Sequence, residues 1–181
     1  MNKISLPLFL ILLSQICLVS CNQAVTESLA ENGVDVDSEP QSLLGKVIIS
    51  EVYPNEPLED TGWEWIELLN TDLIHWDLSG FKMTDNDGRI YFTFPEGTIV
   101  RAGHMLQVGA EKSLASHIQI QGLRLPNDKG VLKLVSPHGE LIDRVYWGYS
   151  FELLTYSRAE DGVMCRTQPT PKLPNSFCLR E

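Results

Sequence analysis

The 181-residue chain predicts an all-β protein, an antiparallel β-sandwich. Three observations carry that prediction. From Lys46 onward the apolar and β-branched runs are short, the length of strands rather than of bundle helices. Clusters of Gly, Pro, Asn and Asp separate them. No stretch between them repeats apolar residues at the helical spacing, which excludes the crossover helices of a parallel sheet.

The strands follow in order. Residues 46–53 are a β-branched run ended by Pro54-Asn55. Residues 63–69, Trp-Glu-Trp-Ile-Glu-Leu-Leu, form the second strand, and residues 77–84 the third. Asp85-Asn86-Asp87-Gly88 is the turn before a strand at 89–94, and Pro95-Glu96-Gly97 breaks the chain again. Further strands are expected at 104–108, 119–125, 131–135 and 140–147, with one helical turn at 111–117. Pro169, Pro171 and Pro174 deny regular structure to 167–175, a segment expected to lie along the sandwich.

The N-terminal residues have a different character. Lys3 precedes an apolar run that Ser14-Gln15 interrupt, the length of a signal-peptide core and too short to span a bilayer. Leu18-Val19-Ser20-Cys21 ends it and resembles the bacterial lipobox. That resemblance implies cleavage before Cys21 and acylation of its thiol and new amino group. Several acyl chains hold a protein firmly, where one holds it marginally. Asn22 is not the Asp that commonly retains such lipoproteins in the inner membrane, which favours the outer membrane of the cell envelope. Residues 22–45 are polar and acidic, with too little apolar area to fold alone. The expected organisation is a signal peptide at 1–20, a lipidated Cys21 and flexible tether over 21–45, and the sandwich over 46–181.

The formal charge of −10 disfavours nucleic acid as a partner. Of four cysteines, Cys17 leaves with the signal and Cys21 is the anchor, so Cys165 and Cys178 remain. Export places them in an oxidising compartment, where such a pair bridges. They lack Cys-x-x-Cys spacing and a nearby His, which argues against a metal or redox site.

An ordered set of motifs over 46–176 resembles the lamin tail domain. It comprises Ile49-Ser50-Glu51-Val52, Glu64-Trp65-Ile66-Glu67-Leu68, Asp77-Leu78-Ser79-Gly80-Phe81, Phe94-Pro95-Glu96-Gly97-Thr98 and Ala102-Gly103. Gly139-Glu140-Leu141-Ile142-Asp143-Arg144-Val145 and Pro169-Thr170-Pro171 with Asn175 complete it. The resemblance implies an immunoglobulin-like fold and an adhesion or interaction role, in some relatives beside a nuclease or hydrolase domain. Lys172 departs from the pattern, which usually has Gly after Pro-Thr-Pro.

No catalytic constellation emerges, and neither an enzyme nor a cofactor is expected. His75, His104, His117 and His138 lack metal-ligand spacing, and no Gly-x-Ser-x-Gly elbow exists. Asp85 and Asp87 are weak calcium candidates, read first as a hairpin turn. Alternation puts Glu64 and Glu67 on opposite faces, so they are no acid/base pair, and the glutamates read as edge charges that discourage strand addition. Trp63, Glu59 and Asp60, around the 54–62 loop, are the candidate binding residues. The other tryptophans, Trp65, Trp76 and Trp147, read as core. The expected function is a membrane-anchored, non-catalytic binding module with a protein or glycan partner. The alternative is an accessory subunit of an envelope hydrolase or nuclease.

Overall fold

The computed structural model of the protein describes residues 43–55, 62–113 and 116–179. The expected signal peptide, Cys21, nearly all of the tether, Glu59 and Asp60 lie outside the described residues. Twelve strands and no helix occur among the described residues. They are β1 (Val47–Tyr53), β2 (Trp65–Asn70), β3 (Trp76–Asp77), β4 (Lys82–Thr84), β5 (Ile90–Thr93) and β6 (Ile99–Val100). Then come β7 (Met105–Ala110), β8 (Ile118–Ile120), β9 (Gly130–Val135), β10 (Leu141–Trp147), β11 (Thr155–Arg158) and β12 (Met164–Thr167).

One sheet has the order β12-β11-β1-β2-β7-β8 and the other β10-β9-β4-β5, while β3 and β6 pair as a two-stranded ribbon. Alternation turns one row of each strand into the space between the sheets. The first sheet contributes Val47, Ile49, Ile66, Leu68 and Val108, the second Met83, Leu132, Leu134, Ile142 and Val145, all buried. The core is thus that of an immunoglobulin-like sandwich.

Two register shifts adjust the alternation. The first, between Ile49 and Glu51, lets Ile49 and Val52 both face the core although they are three residues apart. The second lies between Leu141 and Asp143 on β10. Opposite the end of β10, Trp147 pairs with Gly130 and covers it, and a Cβ at 130 would overlap the indole ring. The Trp147 indole N–H donates to the Pro126 carbonyl at 3.0 Å, which satisfies a buried donor.

Several elements differ from expectation. The run at 77–84 is two short strands, with Gly80 turning the chain between them at φ +75°. β8 covers only 118–120 and pairs with β7 in parallel, the one parallel pairing among the described strands. Its expected continuation breaks at Gly122. The helical turn expected over 111–117 is absent from the described part of that stretch. β11 and β12 were not expected at all. Their Thr155-Tyr156-Ser157-Arg158 and Met164-Cys165-Arg166-Thr167 carry hydroxyls where strand patterns carry apolar side chains, because these strands pack a polar face.

Candidate functional site

The outer face of the first sheet carries a row of polar residues across four strands. Register aligns Ser157, Glu51, Glu67 and Gln107 on β11, β1, β2 and β7, and all four are buried. This corrects the expectation that the glutamates are edge charges. β1 and β2 are central strands, and the C-terminal segment covers the face they present. The opposite facing of Glu64 and Glu67 is as expected. Glu64 faces away and accepts the Gly62 N–H at 2.7 Å, while Glu67 sits directly across from Glu51.

The carboxylates meet the donors of a proline-rich strap. An extended segment with prolines makes few internal hydrogen bonds, so its free N–H groups need acceptors. The Thr170 N–H donates to Glu51 Oε1 at 3.1 Å and the Thr170 hydroxyl to Glu51 Oε2 at 2.9 Å. The Lys172 N–H donates to Glu67 Oε2 at 2.7 Å. The Thr155 hydroxyl also donates to Glu51 at 2.6 Å. Asn175 then donates to the Ser50 and Arg158 carbonyls, each at 3.0 Å. Lys172, where the lamin tail pattern has Gly, adopts φ +63°. A left-handed conformation at a non-glycine residue costs roughly 1 kcal/mol. Burial raises the affinity of both carboxyls for a proton. Glu67 is pushed up to about 7 by burial, with the charge of Glu51 adding to the rise. Glu51 is raised by burial against the pull of its hydroxyl donors.

The strap ends in the expected disulfide between Cys165 and Cys178, whose Cα atoms are 5.5 Å apart. The Leu179 N–H donates to the Arg166 carbonyl at 2.8 Å beside it. Changing both cysteines to alanine is expected to lower stability by about 2 kcal/mol, the lower end of the usual range because the closed loop is short. Urea denaturation measures the loss, and hydrogen exchange at Leu179 should quicken. An unchanged midpoint would show that the hydrogen bonds alone hold the strap.

At the end of the sandwich, the loop from β10 to β11 exposes Tyr149 (63%), Phe151 (45%) and Leu153 (59%). The Tyr149 and Phe151 rings meet edge to face at 5.3 Å, and the Arg166 guanidinium lies 4.9 Å from the Phe151 ring centre. Leu153 holds φ +65°, a strained conformation for a bulky residue. Tyr149, Phe151, Arg166 and Leu179 share a concavity of about 590 Å³.

The residues expected to act are dispersed. Trp63 is half-buried, while Trp65 and Trp147 are core and Trp76 packs half-buried against it. The Asp85 Oδ1 accepts the N–H groups of Asp87 at 2.9 Å and Arg89 at 2.8 Å, holding the hairpin turn in which Gly88 supplies φ +86°. The His75 Nδ1 accepts the Ala102 N–H and the His117 Nδ1 the Gln107 N–H, each at 3.0 Å, and His104 bonds the Ala102 carbonyl. The aromatic loop was missed, since Tyr149 and Phe151 stand in no motif. Two exposed rings between β10 and a strand that alternation did not reveal were the only available signal.

The fold, with its strapped outer sheet and aromatic end, is that of an immunoglobulin-like domain. The lamin tail domain model matches residues 40–149, which is 110 of the 181, and the protein belongs to the lamin tail domain family. β11, β12 and the strap lie beyond the matched span. No curated protein matches the chain.

Proposed function

We propose that the protein is a bacterial envelope lipoprotein, anchored through Cys21, whose lamin tail domain is a non-catalytic module that holds a protein partner. The observation that carries the reading is the exposed cluster of Tyr149, Phe151 and Leu153 beside Arg166. Aromatic and arginine side chains in a partly enclosed patch are the composition of interface hot spots. The buried carboxylate pair is committed to the strap, which covers it, so its perturbed protonation serves the fold rather than a reaction. The Leu18-Val19-Ser20-Cys21 sequence after an apolar run supports the anchor, and Asn22 supports the outer membrane.

Crosslinking and pull-down from intact envelopes test both parts. A defined protein should be captured by the wild type and lost with the Tyr149→Ala/Phe151→Ala variant at unchanged melting temperature. Cys21→Ser should move the protein to the soluble fraction. Capture unaffected by the double variant would refute the patch, and retention of Cys21→Ser in the membrane would refute the anchor. An envelope hydrolase or nuclease as the captured protein would make this chain its accessory subunit.

A further inference from the structure

The outer face of the second sheet is a separate surface, and the inference drawn from it does not rest on the aromatic end. Register places Arg144, Lys133, Thr84 and Ile90 in one row across β10, β9, β4 and β5. The next row is Leu141, Val135, Lys82 and Thr93. Tyr146 and Val131 begin a third row on the same face. Lys82, Lys133 and Arg144 are thus gathered on one sheet face of a chain whose formal charge is −10. None of them is ion-paired to a carboxylate among the described residues. Lys133 Nζ donates to the Asn86 carbonyl at 2.7 Å, which holds that ammonium over the sheet.

The face carries a shallow, open depression. Lys82, Lys133 and Arg144 line a trough of about 480 Å³ that runs between the hairpin turns at Gly88 and Gly139. Asn86 and Asp87 separate it from a second hollow of about 460 Å³, lined by Tyr146, by Tyr91, which is half-buried against the core, by Lys129 and by the carboxylates of Asp85 and Asp87. Arg144 lies 4.8 Å from the Tyr146 ring centre and Arg89 5.4 Å from that of Tyr91. Each edge strand of this sheet therefore carries a tyrosine with an arginine stacked on it.

The shape and charge together select an occupant. A lipid surface touches what protrudes, and here the cations line a hollow. A small anion would leave the tyrosines unused. An extended chain of sugar rings with carboxylates uses both, since ring faces pack on tyrosine and carboxylates pair with ammonium and guanidinium groups. The formal charge of −10 disfavours a polyanion over the rest of the surface, and Asp85 and Asp87 at the second hollow direct its carboxylates to the trough of Lys82, Lys133 and Arg144. We propose that this face binds a carboxylate-bearing polysaccharide, a sugar ring against the exposed Tyr146 at the edge of the hollow it shares with Tyr91 and the carboxylates on Lys82, Lys133 and Arg144.

The test uses the full chain with Cys21→Ser and polygalacturonate as the probe, with neutral dextran, single-stranded DNA and phosphatidylglycerol vesicles as the comparison arms. Affinity electrophoresis at low salt should show retention by polygalacturonate and none by dextran. Binding should fall at least tenfold in Lys82→Gln/Lys133→Gln/Arg144→Gln, severalfold in Tyr146→Ala, and steeply with added salt. Melting curves establish that each variant is folded. Should the triple variant not fold, Lys82→Gln and Lys133→Gln singly should each weaken binding. Absence of retention, equal retention by dextran, indifference to the substitutions, or tighter binding to DNA or vesicles would overturn the proposal.

Discussion

Replacing Asp143 with alanine is expected to cost the fold about 4 kcal/mol, the magnitude of breaking a buried ion pair from one side. Asp143 is on β10 of one sheet and reaches across to the other. Its Oδ2 accepts the Ile49 N–H and the Arg158 guanidinium, both at 2.6 Å. Arg158 also donates to the Ile49 carbonyl at 3.1 Å and the Gly162 carbonyl at 3.2 Å. The reason lies in the register shift after Ile49. β1 pairs with β11 only at Glu51 and Val52, so the backbone of Ile49 has no ladder partner on that side. Asp143 and Arg158 supply the missing acceptor and donor. Their side chains are only 14% and 17% exposed, so water replaces neither well. Asp143→Ala strands a backbone N–H and a guanidinium together. Asp143→Asn keeps an acceptor and should cost about half as much. In urea denaturation, Asp143→Ala/Arg158→Ala should lose less than the sum of the single losses. Simple additivity would show that the two residues act independently.

Asp143 also shows how much the sequence disclosed. It stands in the motif Leu141-Ile142-Asp143-Arg144, which marked the family without indicating what the carboxylate does. Glu51, Glu67, Thr170 and Asn175 stand in the same set of motifs. The structure unites them as one device, two carboxylates and a carboxamide that hold the strap. Alternation correctly assigned Glu67 to the face opposite Ile66 and Leu68. It erred on exposure, because a segment about a hundred residues downstream covers that face. No local pattern contains that information. Chain-level signals succeeded where the physics is local, as in the Asp85–Gly88 turn and the apolar rows of β1, β2, β9 and β10. They failed at β11 and β12, where the partners are hydroxyls rather than a core. The aromatic loop was illegible for a related reason, since only the neighbouring strap and β12 turn Tyr149 and Phe151 into a patch.

The buried carboxylate pair gives the protein a definite response to pH. Glu67 begins near 4.5 in the unfolded chain and is pushed up to about 7 in the folded one, chiefly by burial. Between those values the folded chain holds a proton that the unfolded chain has released. The associated stability is fully present below about pH 4.5 and is lost as pH rises through about 7. A tenfold change in proton affinity is worth about 1.4 kcal/mol, so the loss is on the order of 3 kcal/mol. Glu51, also raised by burial, acts in the same direction. Glu67→Gln mimics the protonated state. Its amide oxygen can accept the Lys172 N–H, and its NH₂ takes the place of Oε1, which has no partner in the wild type. Wild type and Glu67→Gln should therefore unfold at similar urea concentrations at pH 5. At pH 8 the variant should be the more stable by on the order of 3 kcal/mol. A variant that tracks the wild type across that range, or is equally weakened throughout it, would mean that Glu67 remains ionised in the fold. The strap would then be held by a buried charge, and Glu67 would contribute no pH dependence of stability between pH 5 and 8.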